Sequence, residues 1–179
     1  FHKKNNRGTI EVHRINGTSL NYIGNVINEN FHLSFPFIFN HEDSIYMIPE
    51  TSEINEIRIY KCINFPLDWE HVSTPIRNIS AADSIVFKKN QYWHILTNID
   101  IFGTGDHCSE LHAFSSKDLF SSKWTPNRLN PLITNPDIAR NGGLLFHNDE
   151  IFRVSQTHTF LEYGVGRSIS KINSISELE

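Results

Sequence analysis

Apolar residues fall along this chain in short runs separated by polar turns, and three of these run–turn–run segments share one pattern. They are FPFIFNHEDSIYMIPE (35–50), DSIVFKKNQYWHILTN (83–98) and GGLLFHNDEIFRVSQ (142–156). In each, a strand-like run ends at a phenylalanine, Phe39, Phe87 or Phe146. A polar turn follows (NHEDS, KKNQ or HNDE), and then a second run, IYMI, YWHIL or IFRV. Two apolar runs joined by a short polar turn are the signature of a β-hairpin. The pattern predicts three hairpins over these spans, with the three phenylalanines buried at equivalent places.

A second repeated element follows the hairpins. EIRIYKCINFPLDW (56–69) and SELHAFSSKDLFSSKW (109–124) both alternate like strands and end in Phe, three residues and Trp. Phe65 to Trp69 matches Phe120 to Trp124, which assigns both tryptophans to packing within their own repeat. GVGRSISKINSISEL (164–178) begins the element again, and GTIEVHRI (8–15) looks like the third strand of a preceding unit. Four short strands per ~50 residues is the period of a propeller blade. No long stripe of apolar residues with a 3.6-residue period is present, so few helices are expected.

The predicted fold is therefore an all-β, single-domain β-propeller with four-stranded blades. Its units span 8–31 (partial), 32–79, 80–138 and 139–179, about three and a half blades by this period. Propellers close with about four blades or more. The end strands, near Thr9 to Arg14 and Arg167 to Ile172, are therefore expected to leave open edges. A larger parent protein or an oligomeric contact would cover them.

Composition narrows the function classes. One domain accommodates 179 residues, and 16 Lys and Arg against 20 Asp and Glu give a net charge of −4, which argues against a nucleic-acid surface. The longest apolar run, Phe35 to Phe39, contains a proline and is too short for a membrane span. The opening FHKKNNRGTIEV lacks the apolar stretch of a signal peptide. Together with the lack of a disulfide framework around Cys62 and Cys108, this favours a cytoplasmic location. The absence of an initial Met suggests a processed or excised fragment. His107, Cys108 and His112 are metal-ligand types without metal-ligand spacing, so no metal is expected there. Gly103-Thr104-Gly105-Asp106 is a lone Gly-x-Gly with no helix pattern after it, so no nucleotide cofactor is expected either. His94, inside a strand, reads as a hydrogen-bonded interior residue.

Hairpin geometry puts the start of each first strand and the end of each second strand on one rim. Phe35, Asp83 and Gly142 open the first strands, and Glu50, Asn98 and Gln156 end the second. Glu50, Asp83, Asn98, Arg140 and Gln156, with His158, are the candidate ligand-binding residues. They are predicted to form a polar pocket for a polyhydroxylated ligand at the mouth of the channel. No catalytic residue is assigned.

The same segments carry a family resemblance. SAADSIVFKKNQYWHILTN (80–98) resembles the second-blade signature of the five-bladed propellers of glycoside hydrolase family 43, with Asp83 opening the inner strand. HLSFPFIFNHEDSIYMIPE (32–50), SAADSIVF and DLFSSKWTPNRLNPL (118–132) together are similar to the N-terminal propeller family of plant glucosamine inositolphosphorylceramide transferases. That likeness runs from about Gly8 to Glu179, and it implies an earlier blade with an Ala-Asp-Pro-Phe motif.

The family-43 resemblance also implies a general base and a general acid flanking the scissile bond. Here Phe35 stands in place of the base, and Ala139 to Gly143 supply no acid. Asp83 matches the residue that tunes the acid. The resemblance therefore implies a carbohydrate-binding recognition or accessory domain of a glycan-modifying, glycosyltransferase-linked protein, with a fused or partnering catalytic domain. It does not imply a glycosidase competent by itself. The alternative is a family-43-like hydrolase whose catalytic carboxylates lie outside this chain. A structural or protein-interaction propeller is the third reading, in which Glu50, Asp83 and Arg140 are tied up in local bonds.

Overall fold

Residues 7–158 and 164–175 are described by a computed structural model, in which β-strands alternate with short turns. Strands β1 (Glu11–Asn16) and β2 (Ser19–Asn25) form a two-stranded sheet. The second sheet has the order β3 (Ser34–His41), β4 (Ser44–Glu50), β5 (Glu56–Asn64), β6 (Asp68–Arg77), all antiparallel. The third runs β7 (Ala81–Lys89), β8 (Tyr92–Ile99), β9 (Glu110–Ser116), with the short β10 (Thr125–Pro126) and β11 (Ile133–Thr134) both on β9. The last contains β12 (Asn141–His147), β13 (Glu150–Thr157) and β14 (Gly166–Lys171). The one helical element among the described residues is a 3₁₀ turn at Ser52–Ile54.

The three predicted hairpins are β3–β4, β7–β8 and β12–β13. Their two-residue turns open at Glu42 (φ 51°), Asn90 (φ 56°) and Asn148 (φ 48°). A positive φ there matches the twist of the flanking strands, and asparagine tolerates it better than most residues.

The sheets stack face to face, with an apolar cluster between each pair. Ile10, Val26, Phe31 and Leu33 meet Met47 and Tyr60 between the first and second sheets. Tyr46, Ile48, Ile57 and Ile59 meet Val86, Trp93 and Ile95 between the second and third. Ile85, Phe87, Leu96 and Leu111 meet Ala139 and Ile151 between the third and fourth. Strand alternation explains the arrangement: Met47 faces one cluster, and its neighbours Tyr46 and Ile48 face the other. Each fully buried aliphatic side chain contributes roughly 1.5–3 kcal/mol. The third sheet is covered on both faces, so β7 and β8 are buried nearly throughout, their polar residues Asp83, Ser84, His94, Thr97 and Asn98 included.

The stacking corrects one expectation. Phe87 is 2% exposed and Phe39 half-buried, but Phe146 is 66% exposed. Counted back from the turns, the counterpart of Phe39 and Phe87 is Leu145, one residue earlier. In a strand, a shift of one residue changes the face. Leu145 is also exposed, because no further sheet covers this face among the described residues.

The tryptophans repeat as expected. Trp69 Nε1 donates to the Pro66 carbonyl and Trp124 Nε1 to that of Ser121, both at 2.9 Å and both three residues back. His94 is buried and bonded to Ser115 Oγ through Nδ1.

Candidate functional site

Each of the three hairpins carries one extra residue near the start of its first strand. The pairing slips between Ser34 and Phe37, between Ala82 and Ile85, and between Asn141 and Gly143. Such a bulge re-aims one side chain and is common beside functional sites. Phe35 (φ 41°) and Asp83 (φ 49°) occupy the first two bulges in the left-handed region. For a non-glycine residue this costs roughly 1–3 kcal/mol, which the surrounding structure must offset. Phe35, Asp83 and Asn141 each stand seven residues before the first residue of their turn. The third member of the set is therefore Asn141, not Gly142.

Asp83 is 2% exposed. Arg140 Nε donates to its Oδ2 at 2.6 Å, and Arg140 Nη1 contacts Cys108 Sγ at 3.2 Å. Burial pushes the Asp83 carboxyl from 3.8 up to about 6. The Arg140 charge pulls it back, and the Glu50 carboxylate adds to the rise.

The amides around this pair are heavily bonded. Asn98, fully buried, donates from Nδ2 to the carbonyls of Glu110 (2.8 Å) and Ala139 (3.0 Å). Its Oδ1 accepts the Asn141 N–H at 2.9 Å. Asn141 Nδ2 in turn donates to the carbonyls of Asp83 and Leu96, at 2.9 and 3.1 Å. Gln156 Nε2 donates to the Asn141 carbonyl at 2.6 Å. Arg153, buried among apolar residues, donates to Asn141 Oδ1 at 3.1 Å and to the carbonyls of Ala139 and Ile138. Burial pulls its pKa down to about 10. Asn141 thus ties together the third and fourth sheets directly beneath Asp83.

Glu50 accepts from Ser34 Oγ (2.9 Å) and Ser52 Oγ (2.8 Å). Burial lowers the pKa of His158; the nearby Arg140 charge adds to the fall and Asp106 opposes it. Asp83, Asn98, Arg140 and Gln156 are therefore linked through Asn141 into one hydrogen-bonded group, with Glu50 and His158 within electrostatic reach. Asn98 has its donors spent on backbone carbonyls and supports the site rather than lining it.

Asn141, Arg153 and Cys108 are the residues of this group that the repeat pattern does not single out. Counting back from the turn locates Asn141; no sequence signal marks the other two.

Chemically, the group presents a carboxylate paired with a guanidinium, flanked by amides and a second carboxylate. Of the three bulge positions, only Asp83 is ionisable. Phe35 packs instead against the apolar cluster of the third and fourth sheets. The set suits directional hydrogen bonding to hydroxyl groups. It lacks matched carboxylates at the bulges for double-displacement or inverting hydrolysis.

Residues 2–179 match the family described as glucosamine inositolphosphorylceramide transferase 1, N-terminal. A protein of that name from Arabidopsis thaliana is 32% identical over 166 residues, covering 91% of this chain and 21% of the relative. Its counterpart from Oryza sativa subsp. indica is 30% identical over 132 residues, covering 73% of this chain and 18% of the relative. The chain thus spans about a fifth of the length of these relatives.

Among solved structures, an exo-β-1,3-galactanase from Clostridium thermocellum superposes with a TM-score of 0.71 at 12% identity, over 96% of this chain and 41% of that one. Another from Phanerochaete chrysosporium, solved with β-1,3-galactotriose, gives 0.65 at 13% identity, over 86% of this chain and 36% of that one. The fold is that of family-43 glycoside hydrolase propellers.

Proposed function

Because this chain belongs to the family of glucosamine inositolphosphorylceramide transferase 1 N-terminal domains, we propose that it is a carbohydrate-recognition or accessory domain of a glycan-modifying protein. In this reading the chain contributes about three and a half blades of a five-bladed ring. The rim around Asp83 and Arg140 binds a sugar, with Glu50, Gln156 and His158 as further contacts and Asn98 as support. A fused or partnering transferase domain carries out the chemistry.

The observation that carries this reading is Asp83 itself. It is a buried carboxylate pushed up to about 6, held at a positive φ on a bulge, and paired with an arginine from the segment just before β12. Backbone strain combined with a perturbed pKa is characteristic of a functional position. Phe35 and Asn141, at the matching positions seven residues before their turns, favour recognition over hydrolysis.

The test is to titrate the purified protein with β-1,3-galactotriose, glucosamine and a panel of neutral oligosaccharides, and to follow release of reducing sugar in the same samples. The proposal expects saturable binding of at least one glycan without turnover. Turnover would establish the hydrolase reading, and no binding across the panel would leave the structural-propeller reading standing.

A further inference from the structure

At the turn end of β8, the opposite end of that hairpin from Asp83, lies a cleft of ≈ 380 Å³ floored by the end of β9 and bounded by the loop to β10. Its chemistry is one-sided. Ser116, only 8% exposed, accepts the Asp118 N–H on its Oγ at 3.2 Å, and Ser121 Oγ accepts the Lys123 N–H at 2.9 Å. Each hydroxyl has spent acceptor capacity on the backbone and still has a proton to donate. Thr125 and Tyr92 add two further hydroxyls, and Lys117 and Lys123 two ammonium groups. Lys117 lies over the Tyr92 ring at 5.6 Å. Among the described residues, none of these six side chains donates to a protein acceptor. The single carboxylate of the lining, Asp118, is engaged by the Phe120 N–H at 3.0 Å.

A cleft with two cations, four hydroxyl donors and one occupied carboxylate matches a ligand rich in acceptor oxygens and carrying negative charge. A neutral sugar both donates and accepts through every hydroxyl, so it is a poor match. We propose that this cleft is a second binding site, for a tetrahedral oxyanion: phosphate or sulfate, free or as an ester on a saccharide. Charge-assisted bonds from the two lysines supply the attraction, and the hydroxyls of Ser116 and Ser121 fix the orientation. The site is separate from the Asp83 rim and does not depend on the function proposed for that rim.

The experiment is a calorimetric titration at low ionic strength with inorganic phosphate, sulfate, glucose 6-phosphate and glucose. The three oxyanions are expected to bind, more weakly as salt rises, and glucose is not. Tighter binding of glucose 6-phosphate than of phosphate would assign the ester as the ligand, and equal affinity the free ion. The exposed pair Lys117→Ala/Lys123→Ala should weaken binding about tenfold or more and leave the melting temperature unchanged. Ser116→Ala/Ser121→Ala should weaken it less, and Asp83→Asn not at all. Absence of saturable oxyanion binding, or unaltered affinity in the double lysine variant, overturns the proposal.

Discussion

Asp83 and Arg140 stand 57 residues apart in the chain, one in β7 and the other just ahead of β12, yet Arg140 Nε donates to Asp83 Oδ2 at 2.6 Å. The bond joins a strained bulge in β7 to the segment just before β12. It makes the carboxylate a feature of the junction between sheets rather than of one hairpin.

That junction gives a pH dependence with a defined sign. The folded Asp83 keeps its proton up to about 6, whereas an ordinary carboxyl releases it near 3.8. Its contribution to stability is therefore fully present below about 3.8 and is lost as pH rises through about 6. Urea unfolding of wild type and Asp83→Asn should show a stability difference that moves against the wild type by up to ~3 kcal/mol between these limits. A difference that stays flat across the window would contradict the burial argument.

The bulge register is testable with adjacent residues. Asn141→Ala removes bonds to Asp83, Leu96 and Arg153 at a fully buried position, and should cost about 3 kcal/mol or more. Gly142→Ala adds a Cβ whose nearest neighbours are the side chains of Gln156 and Val154 at 3.3 Å, and should cost about 1 kcal/mol. Equal losses would return Gly142 to the position assigned from sequence.

Much of this fold is readable from the chain, because strand alternation and turn residues are local properties. The hairpins and the repeated tryptophan element follow directly from them. The misplaced anchor at Phe146 has a local cause: Leu144, Leu145 and Phe146 are all apolar, so the run does not mark which residue faces which side. Asp83 is conspicuous as a charge opening an apolar strand. Asn141 and Arg153 are not, since their roles depend on carbonyls brought in from other sheets. Asn98 reads as a polar strand end facing water, yet it is sealed inside by the segment leading into β12.

The repeat itself predicts matched energetics. Trp69→Phe and Trp124→Phe each delete one indole bond to a carbonyl three residues back, and each should cost about 1 kcal/mol beyond the change in packing. Thermal or chemical melts of the two variants should agree closely. A loss confined to one of them would show that the two positions are not equivalent.

The outer sheets leave Ile15, Leu20 and Tyr22 at one end of the stack, and Leu145 and Ile169 at the other, open to solvent. Apolar faces of this kind associate. Sedimentation of this chain by itself should show concentration-dependent self-association, reduced by Leu145→Lys/Ile169→Lys. A monodisperse monomer over a wide concentration range would contradict the expected open ends.

The most direct measurement is calorimetric titration of the glycan found to bind the wild type into Asp83→Ala and Glu50→Gln, at a temperature where melting curves show each variant folded. Sugar recognition at the Asp83 rim predicts a loss of ~1.5–3 kcal/mol in binding for Asp83→Ala and a smaller loss for Glu50→Gln. An Asp83→Ala protein that melts earlier yet binds the same glycan with wild-type affinity would contradict the account and reduce the Asp83–Arg140 pair to a brace between sheets.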